Sequence, residues 1–434
     1  MAFTSRNVAV IGAGAAGLSA ARYLMEDGHE VTVFELGSRI GGLWVYDNDN
    51  GLSAAYESLH INSEPRVTHY RGFPFPDDTS LFPSHREVTG YLEAFADKFH
   101  IRKRIQFNTK VTSVAPVTGA SGSGWLVQLG HGAQEQFDSV VVATGHQGVP
   151  AHPDFASQFT GTYVHSHSYR EPEVFRGQRV LVVGVGNSGL DIAADICTVA
   201  SETFVAARSP VLIMPKMIFG APSARFMGKF NKTYVPWWVQ RQIMRTVNKI
   251  FHGRMEQWGL RTPKGRTHPA SNATFMAHVS YGKISIRPGV EEIVGRHVLF
   301  TDGREVDVDT LIAATGYEID LPFLPDGVSP ITGRRMGVYK RVVHPDWADL
   351  YFVGFFNVSG GANISMMDVQ SEWVAALVSG DVSAPPKEDM YADMRREQAV
   401  MASRYPGTAR YGLELDPNKY RRAVARELRN RTKR

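Results

Sequence analysis

The sequence predicts an α/β protein carrying two nucleotide-binding units. Three observations predict it. A glycine loop sits between a strand and a helix at Gly12–Gly17, a second such loop recurs at Gly184–Gly189, and two apolar strands close on the same Ala-Thr-Gly turn, at 143–145 and 314–316.

The first unit begins with Asn7–Ile11, a short β-branched run of the kind that makes a buried parallel strand. Gly12-Ala-Gly-Ala15-Ala16-Gly17 follows at once, Leu18–Glu26 continues with helical spacing, and a second strand, Glu30–Phe34, ends at Glu35. In such a G-x-G-x-x-G loop Gly12 allows the turn, Gly14 lets the backbone approach a pyrophosphate, and Gly17 lets helix pack on strand. The helix start at Ala15 and Ala16 turns N–H donors and a positive dipole end toward the phosphates. Glu35, 23 residues after Gly12, is placed to accept both ribose hydroxyls. Strand, loop, helix and acid in register specify a dinucleotide site.

The second unit repeats the pattern: Arg179–Val183, then Gly184-Val-Gly186-Asn187-Ser188-Gly189, the helix Leu190–Val199, and the strand Thr203–Ala207. The acid is missing, and Arg208 stands one step beyond its place. A carboxylate there would repel a 2′-phosphate, whereas a guanidinium pairs with it in fork geometry. The first site is therefore expected to take FAD and the second NADPH. Asn187 and Ser188 begin the second helix and can donate to the pyrophosphate. The strand-and-turn segments Asp138–Gly145 and Asp309–Gly316 end the two units and put Thr144, Gly145, Thr315 and Gly316 beside the cofactors.

Composition bounds the alternatives. A chain of 434 residues, 43% hydrophobic and 21% charged, allows two or three domains and excludes global disorder. Its apolar runs are far shorter than the ~20 residues of a transmembrane segment, and the first of them, Val8–Ile11, leads into the glycine loop instead of a secretory cleavage site. A net charge of +4 gives no nucleic-acid surface; Tyr420–Arg434 alone holds seven Lys or Arg against one Glu, a solvated basic helix by this reading. One cysteine, Cys197, forbids an intrachain disulfide, a disulfide-reductase pair and a Cys-x-x-Cys motif, and the expected address is cytoplasmic. Fifteen histidines show no metal-ligand spacing, so no metal is expected. The expected domains are an FAD domain over 1–150 that resumes over 316–385, an NADPH domain over 160–315 with a helical insert at about 210–270, a Pro385–Lys387 hinge, and a basic helical C-terminal tail over 386–434.

Phe159-Thr-Gly161-Thr-Tyr-Val-His165-Ser-His-Ser-Tyr169-Arg170 matches F-x-G-x-x-x-H-x-x-x-[FY]-[KR] at every fixed position. In this string, and in Gly41-Gly42-Leu43-Trp44, Ser58-Leu-His-Ile61-Asn62, Phe73–Pro76, Ala143–His146 and Asp368–Trp373, the chain resembles the flavin-containing monooxygenases over about residues 5–380. The resemblance implies a glutathione-reductase-like arrangement with the NADPH domain inserted in the FAD domain. It implies that NADPH reduces FAD, that O2 adds to give a flavin 4a-hydroperoxide, and that a small amine or sulfide takes the distal oxygen. The resemblance makes Asn62 the catalytic residue, an amide that steadies NADP⁺ and the peroxide, and places Leu43 and Trp44 on the isoalloxazine. Gly42 and Ile61 accompany them, Gln370, near a helix start after Gly360-Gly361, faces the flavin, and His165 and Tyr169 set the linker between the sites. A homodimer is in keeping with the family. Baeyer–Villiger oxygenation, normally marked by Trp-Pro where this chain has Tyr169-Arg170, oxidative decarboxylation, and a non-oxygenating NADPH oxidase or flavin redox sensor stand as alternatives. Residues 236–251 place Val239, Ile243, Val247 and Ile250 on one helical stripe, read as core or subunit interface.

Overall fold

The computed structural model describes residues 4–117, 124–230, 235–358, 363–405 and 412–429. The chain divides into two units: Met1–Ser53, Ser63–Val149 and Glu318–Arg434 form the first, and Ala54–Asn62 and Pro150–Tyr317 the second.

In the first unit a five-stranded parallel sheet runs in the order Leu350–Phe352, Ser139–Val142, Asn7–Ile11, Glu30–Phe34, Ile105–Gln106. Its central strands are buried on both faces, which is why they read as continuous apolar runs. Helix Ala15–Glu26 follows the central strand and packs along helix Asn363–Val378. An antiparallel meander, Val111–Pro116, Trp125–Leu129 and Gln134–Phe137, precedes the strand that returns beside Asn7–Ile11.

The second unit repeats this plan. Its parallel sheet runs Ile284–Arg287, Glu202–Ala206, Arg179–Val183, Thr310–Ala313, Thr162–His165. Helix Asn187–Ile196 follows the central strand, and a second meander, Val290–Val294, His297–Phe300 and Glu305–Asp307, precedes the returning one. The returning strands open alike. Asp138 accepts from Asn7 N–H at 2.7 Å through its carboxylate and donates its own N–H to Asn7, and Asp309 does the same with Arg179, again at 2.7 Å.

The structure departs from the sequence reading in several places. Residues Ala54–Asn62 lie outside the first unit: Tyr56 is buried in the second unit's core beside Leu59, and Glu57 N–H donates to Arg170 at 2.9 Å. The C-terminal segment is not a solvated tail behind a hinge. Pro386 starts helix Lys387–Arg404, which buries Met390 and Met394 in the first unit's core. Helix Pro417–Glu427 adds Tyr420 and Val424 to that core while turning its arginines outward. The charge run dominated the reading because the two apolar anchors, four residues apart, are too few to show as a stripe. In helix Trp237–His252, Val247 packs on Leu212, Met214 and Ile218 with Ile243 beside it, but Ile250 faces solvent. Gly360-Gly361 and the last basic residues, 430–434, lie outside the described residues.

Candidate dinucleotide sites

In the first unit the glycines hold the loop against its neighbours. Gly12 takes φ +106°, and a Cβ there would stand 2.7 Å from the Ala143 carbonyl oxygen. A Cβ on Gly17 would lie 1.8 Å from Gly12 O, so this glycine is required by helix–strand contact alone. Gly14 meets no such barrier from the protein: its nearest neighbour is Gly42 Cα, 3.6 Å from an added Cβ. Gly14 starts helix Ala15–Glu26, whose first intrahelical bond is Leu18 N–H to Gly14 O, which leaves the Ala15, Ala16 and Gly17 N–H groups without helical acceptors.

Around this loop the other predicted residues converge. Gly41 N–H donates to Ala13 O at 3.1 Å, drawing the Gly42-Leu43-Trp44 turn onto the loop. Leu43 is exposed, while Trp44 is partly buried against the core and its carbonyl accepts from Thr89. The Glu35 carboxylate is buried and oriented by Ala13 N–H at 2.7 Å, Gly37 N–H at 2.9 Å and Asn50 at 3.3 Å. Thr144 Oγ1 is buried without a partner, and Gly145 follows it at φ +76°. A backbone open at Gly14, unbonded N–H groups and an orphaned hydroxyl fit a pyrophosphate and the polar edge of FAD.

The second unit matches the first at the loop and differs at the next strand. Gly184 takes φ +122° against Ala314 O, 2.4 Å from an added Cβ, and one on Gly189 would lie 2.2 Å from Gly184 O. Gly186 caps helix Asn187–Ile196, which opens with Asn187 and Ser188. The parallel register aligns Val183 with Ala206, as Ile11 aligns with Phe34, so Ala207 takes the place of Glu35 and the exposed Arg208 follows. Removing the acid leaves room and no repulsion for a phosphorylated ribose. Two arginines that sequence reading missed accompany Arg208: Arg261 donates to the Arg208 carbonyl, and Arg287, paired in register with Ala206, keeps its Nε buried without a partner. They stand 53 and 79 positions further along the chain; the sheet order brings Arg287 to this edge, and a loop paired with Val211 brings Arg261. The two Ala-Thr-Gly turns are not equivalent, because Thr315 donates to Ala151 O at 2.5 Å; Gly316, at φ +87°, is open.

The fingerprint residues build the second unit. Phe159 is a core residue, and a Cβ on Gly161 would collide with Asp309 O and the Phe159 ring, both at 2.6 Å. Burial, with the neighbouring His152 and His167, pushes the His165 imidazole down to about 4. Tyr169 is buried, stacks on Phe175 and donates to Asp195 at 3.3 Å. Ile61 is half-buried, and Asn62 Oδ1 is buried without a partner at the end of Ala54–Asn62.

One predicted cofactor residue is engaged elsewhere. Gln370 is fully buried mid-helix; its Oε1 accepts from Gly354 N–H at 2.9 Å and its Nε2 donates to Tyr420 at 3.0 Å and Arg341 O at 3.4 Å. Its amide ties the C-terminal helix to the core through both Nε2 hydrogens and one Oε1 bond. Cys197 is buried, which raises its thiol to about 11. Among the described residues no cluster of His, Cys, Asp or Glu could hold a metal ion, and no helix is long and apolar enough to cross a membrane.

Paired parallel sheets, each with a glycine loop at the central strand, define an α/β protein with two dinucleotide-binding units. The Flavin-binding monooxygenase-like family profile matches residues 5–428, and the chain belongs to that family. The match runs through the C-terminal helices, well past residue 380, where the sequence resemblance had been expected to stop. The chain is similar to flavin-containing monooxygenase 3 of Homo sapiens, 33% identical over 414 residues, with 90% of this chain and 77% of that protein covered. Flavin-containing monooxygenase 5 of Oryctolagus cuniculus is 33% identical over 434 residues, with 95% and 80% covered. Among solved structures, S-allyl-L-cysteine S-oxygenase from Allium sativum has a TM-score of 0.74 at 28% identity, covering 98% of this chain and 89% of that one. Open cyclohexanone monooxygenase shares the fold, with a TM-score of 0.71 at 16% identity and 97% of each chain covered. The protein is a flavin-dependent monooxygenase that uses FAD and NADPH.

Proposed function

We propose that this chain oxygenates the nitrogen or sulfur of small soft nucleophiles, with O2 as oxidant, NADPH held by the second unit and FAD by the first. The observation that carries the reading is a difference at one register position, just past the second strand of each unit: Glu35 in the first, Ala207 followed by Arg208 in the second. A carboxylate accepts from an unmodified ribose diol, and an arginine beside a small residue receives a 2′-phosphate. Bound in this way, the FAD isoalloxazine supplies hydride acceptance and O2 activation, the chemistry that side chains lack. The chain's own contribution is to cradle phosphates at Gly14 and Gly186, to hold the ribose at Glu35, and to present the Asn62 amide, which both donates and accepts. Nitrogen and sulfur are favoured as acceptors by the Tyr169-Arg170 end of the fingerprint and by the likeness to an S-oxygenase. A single buried cysteine supports a cytoplasmic setting.

The test offers the purified, FAD-loaded enzyme a thioether, a tertiary amine and a cyclic ketone, each with NADPH and O2. Sulfoxide or N-oxide formed in step with NADPH oxidation is the expected result. Turnover of the ketone alone would overturn the choice of nucleophile, and hydrogen peroxide with no oxygenated product from any of the three would overturn monooxygenation.

A further inference from the structure

Helix Asn187–Ile196 is apolar where it packs on its sheet, burying Leu190, Ile192, Ala193, Ala194 and Ile196. Besides Ser188 in the first turn, it carries polar side chains at positions i, i+4 and i+8: Asn187, Asp191 and Asp195. Spacing of four puts them in one row along the helix. Each meets a partner from a distant stretch of the same unit. Asn187 Oδ1 accepts from Ser271 N–H at 3.1 Å. Asp191 accepts from Asn272 at 2.6 Å and from the Tyr56 hydroxyl at 2.8 Å. Asp195 accepts from the Ser58 hydroxyl and from Tyr169.

Two of these contacts fall on Ala54–Asn62, the segment that ends at Asn62. Tyr56 and Ser58 sit two residues apart, and Glu57 N–H between them donates to Arg170, the last fingerprint residue. The segment has little regular structure of its own, so side-chain contacts must fix it. Hydroxyl-to-carboxylate bonds are charge-assisted and stronger than neutral ones.

We propose that Asp191 and Asp195 are positioning residues that tether the Asn62-bearing segment to the nucleotide-binding helix through Tyr56 and Ser58. Asn62 is thereby carried by the unit that binds NADP(H), and its amide keeps a fixed relation to the helix whose N-terminus receives the pyrophosphate. This rests on the reading of Asn62 as the residue that steadies NADP⁺ and the reacting oxygen, and it adds the device that aims it.

The test compares wild type with Tyr56→Phe/Ser58→Ala, which removes two hydroxyls and no bulk, in the full FAD-loaded chain. Hydrogen–deuterium exchange of peptides covering 54–62 is expected to quicken roughly tenfold or more, as loss of two hydrogen bonds to charged groups implies, while peptides covering 7–35 keep their protection. The fraction of NADPH ending as hydrogen peroxide is expected to rise several-fold with the rate of flavin reduction unchanged. Restoring one hydroxyl, in Tyr56→Phe/Ser58→Thr, is expected to recover part of both. Unchanged exchange over 54–62 overturns the tether, and so does faster exchange with full coupling. Asn62→Ala separates the two readings: exchange over 54–62 stays native there, and if that variant remains coupled while the double variant does not, the role of Asn62 fails and the tether stands.

Discussion

The Ala143 carbonyl oxygen lies 2.7 Å from where a Cβ on Gly12 would stand, and the Ala314 carbonyl holds the same station over Gly184 at 2.4 Å. The returning strand of each unit therefore closes directly on the first glycine of its loop, and any side chain at Gly12 or Gly184 would force the sheet apart. The last glycines, Gly17 and Gly189, are fixed by the same crowding. Gly14 alone among those of the first loop faces space, which separates the glycine proposed to meet the pyrophosphate from the glycines the packing itself requires.

That separation predicts different fates for two substitutions. Gly14→Val is expected to give a folded protein that purifies colourless, because the side chain takes the pyrophosphate's place. Gly17→Val is expected to give insoluble chain, its Cβ falling 1.8 Å from Gly12 O. A yellow Gly14→Val protein would show that the dinucleotide does not run over this glycine.

Arg208→Ala is expected to raise the KM for NADPH about 10- to 100-fold, the size of a lost charge-assisted pair, and to leave the KM for NADH nearly unchanged. Steady-state kinetics with both donors checks this. Equal effects on the two would remove the 2′-phosphate from Arg208.

Asn62→Ala is expected to keep FAD bound and reducible by NADPH while product formation falls by a factor of about 100 or more, the loss typical of one transition-state donor. Product yield per NADPH is the measurement, and full yield takes Asn62 out of the chemistry.

His165 gives a pH signature. An unfolded histidine takes its proton near 6.5, whereas burial beside His152 and His167 holds His165 neutral until about 4. Its contribution is complete above pH 6.5 and is lost as pH falls from there toward 4. The melting temperature of His165→Phe is therefore expected to fall less than that of wild type between pH 6.5 and 4.5. Parallel curves for the two proteins would refute the assignment.

Gln370→Leu is expected to lower thermal stability by about 1–3 kcal/mol, since Gly354 N–H and the Tyr420 hydroxyl lose a buried partner, and to leave the FAD dissociation constant within a factor of about three. A tenfold weaker flavin with unchanged stability would return Gln370 to the cofactor site.

Features written in contiguous residues were legible before the structure. The strand–loop–helix runs at Asn7–Glu26 and Arg179–Ile196 needed only local periodicity and glycine spacing, and the echo of Asp138–Gly145 in Asp309–Gly316 marked where each sheet closes. Features made by long-range packing were not. Arg287 comes to this edge because Ile284–Arg287 is the neighbouring strand, and Arg261 because the loop that carries it returns to Val211 and the Arg208 carbonyl. Gln370 is assigned to the flavin by the resemblance and by its place after Gly360-Gly361, and its partners Gly354, Arg341 and Tyr420 come from three separate stretches of the chain that the sequence does not bring together. The basic composition of Tyr420–Arg434 concealed two core residues.

The near-identity of the two units has a practical reach. Both closing strands open on an aspartate and meet the first glycine of their loop, and the units part at the station after Phe34 and Ala206, where Glu35 of the first corresponds to Ala207, buried in the second unit's core, with the exposed Arg208 next to it. On the proposed reading, redirecting this oxygenase from a phosphorylated to an unphosphorylated donor means changing Arg208 on the surface and Ala207 within the core.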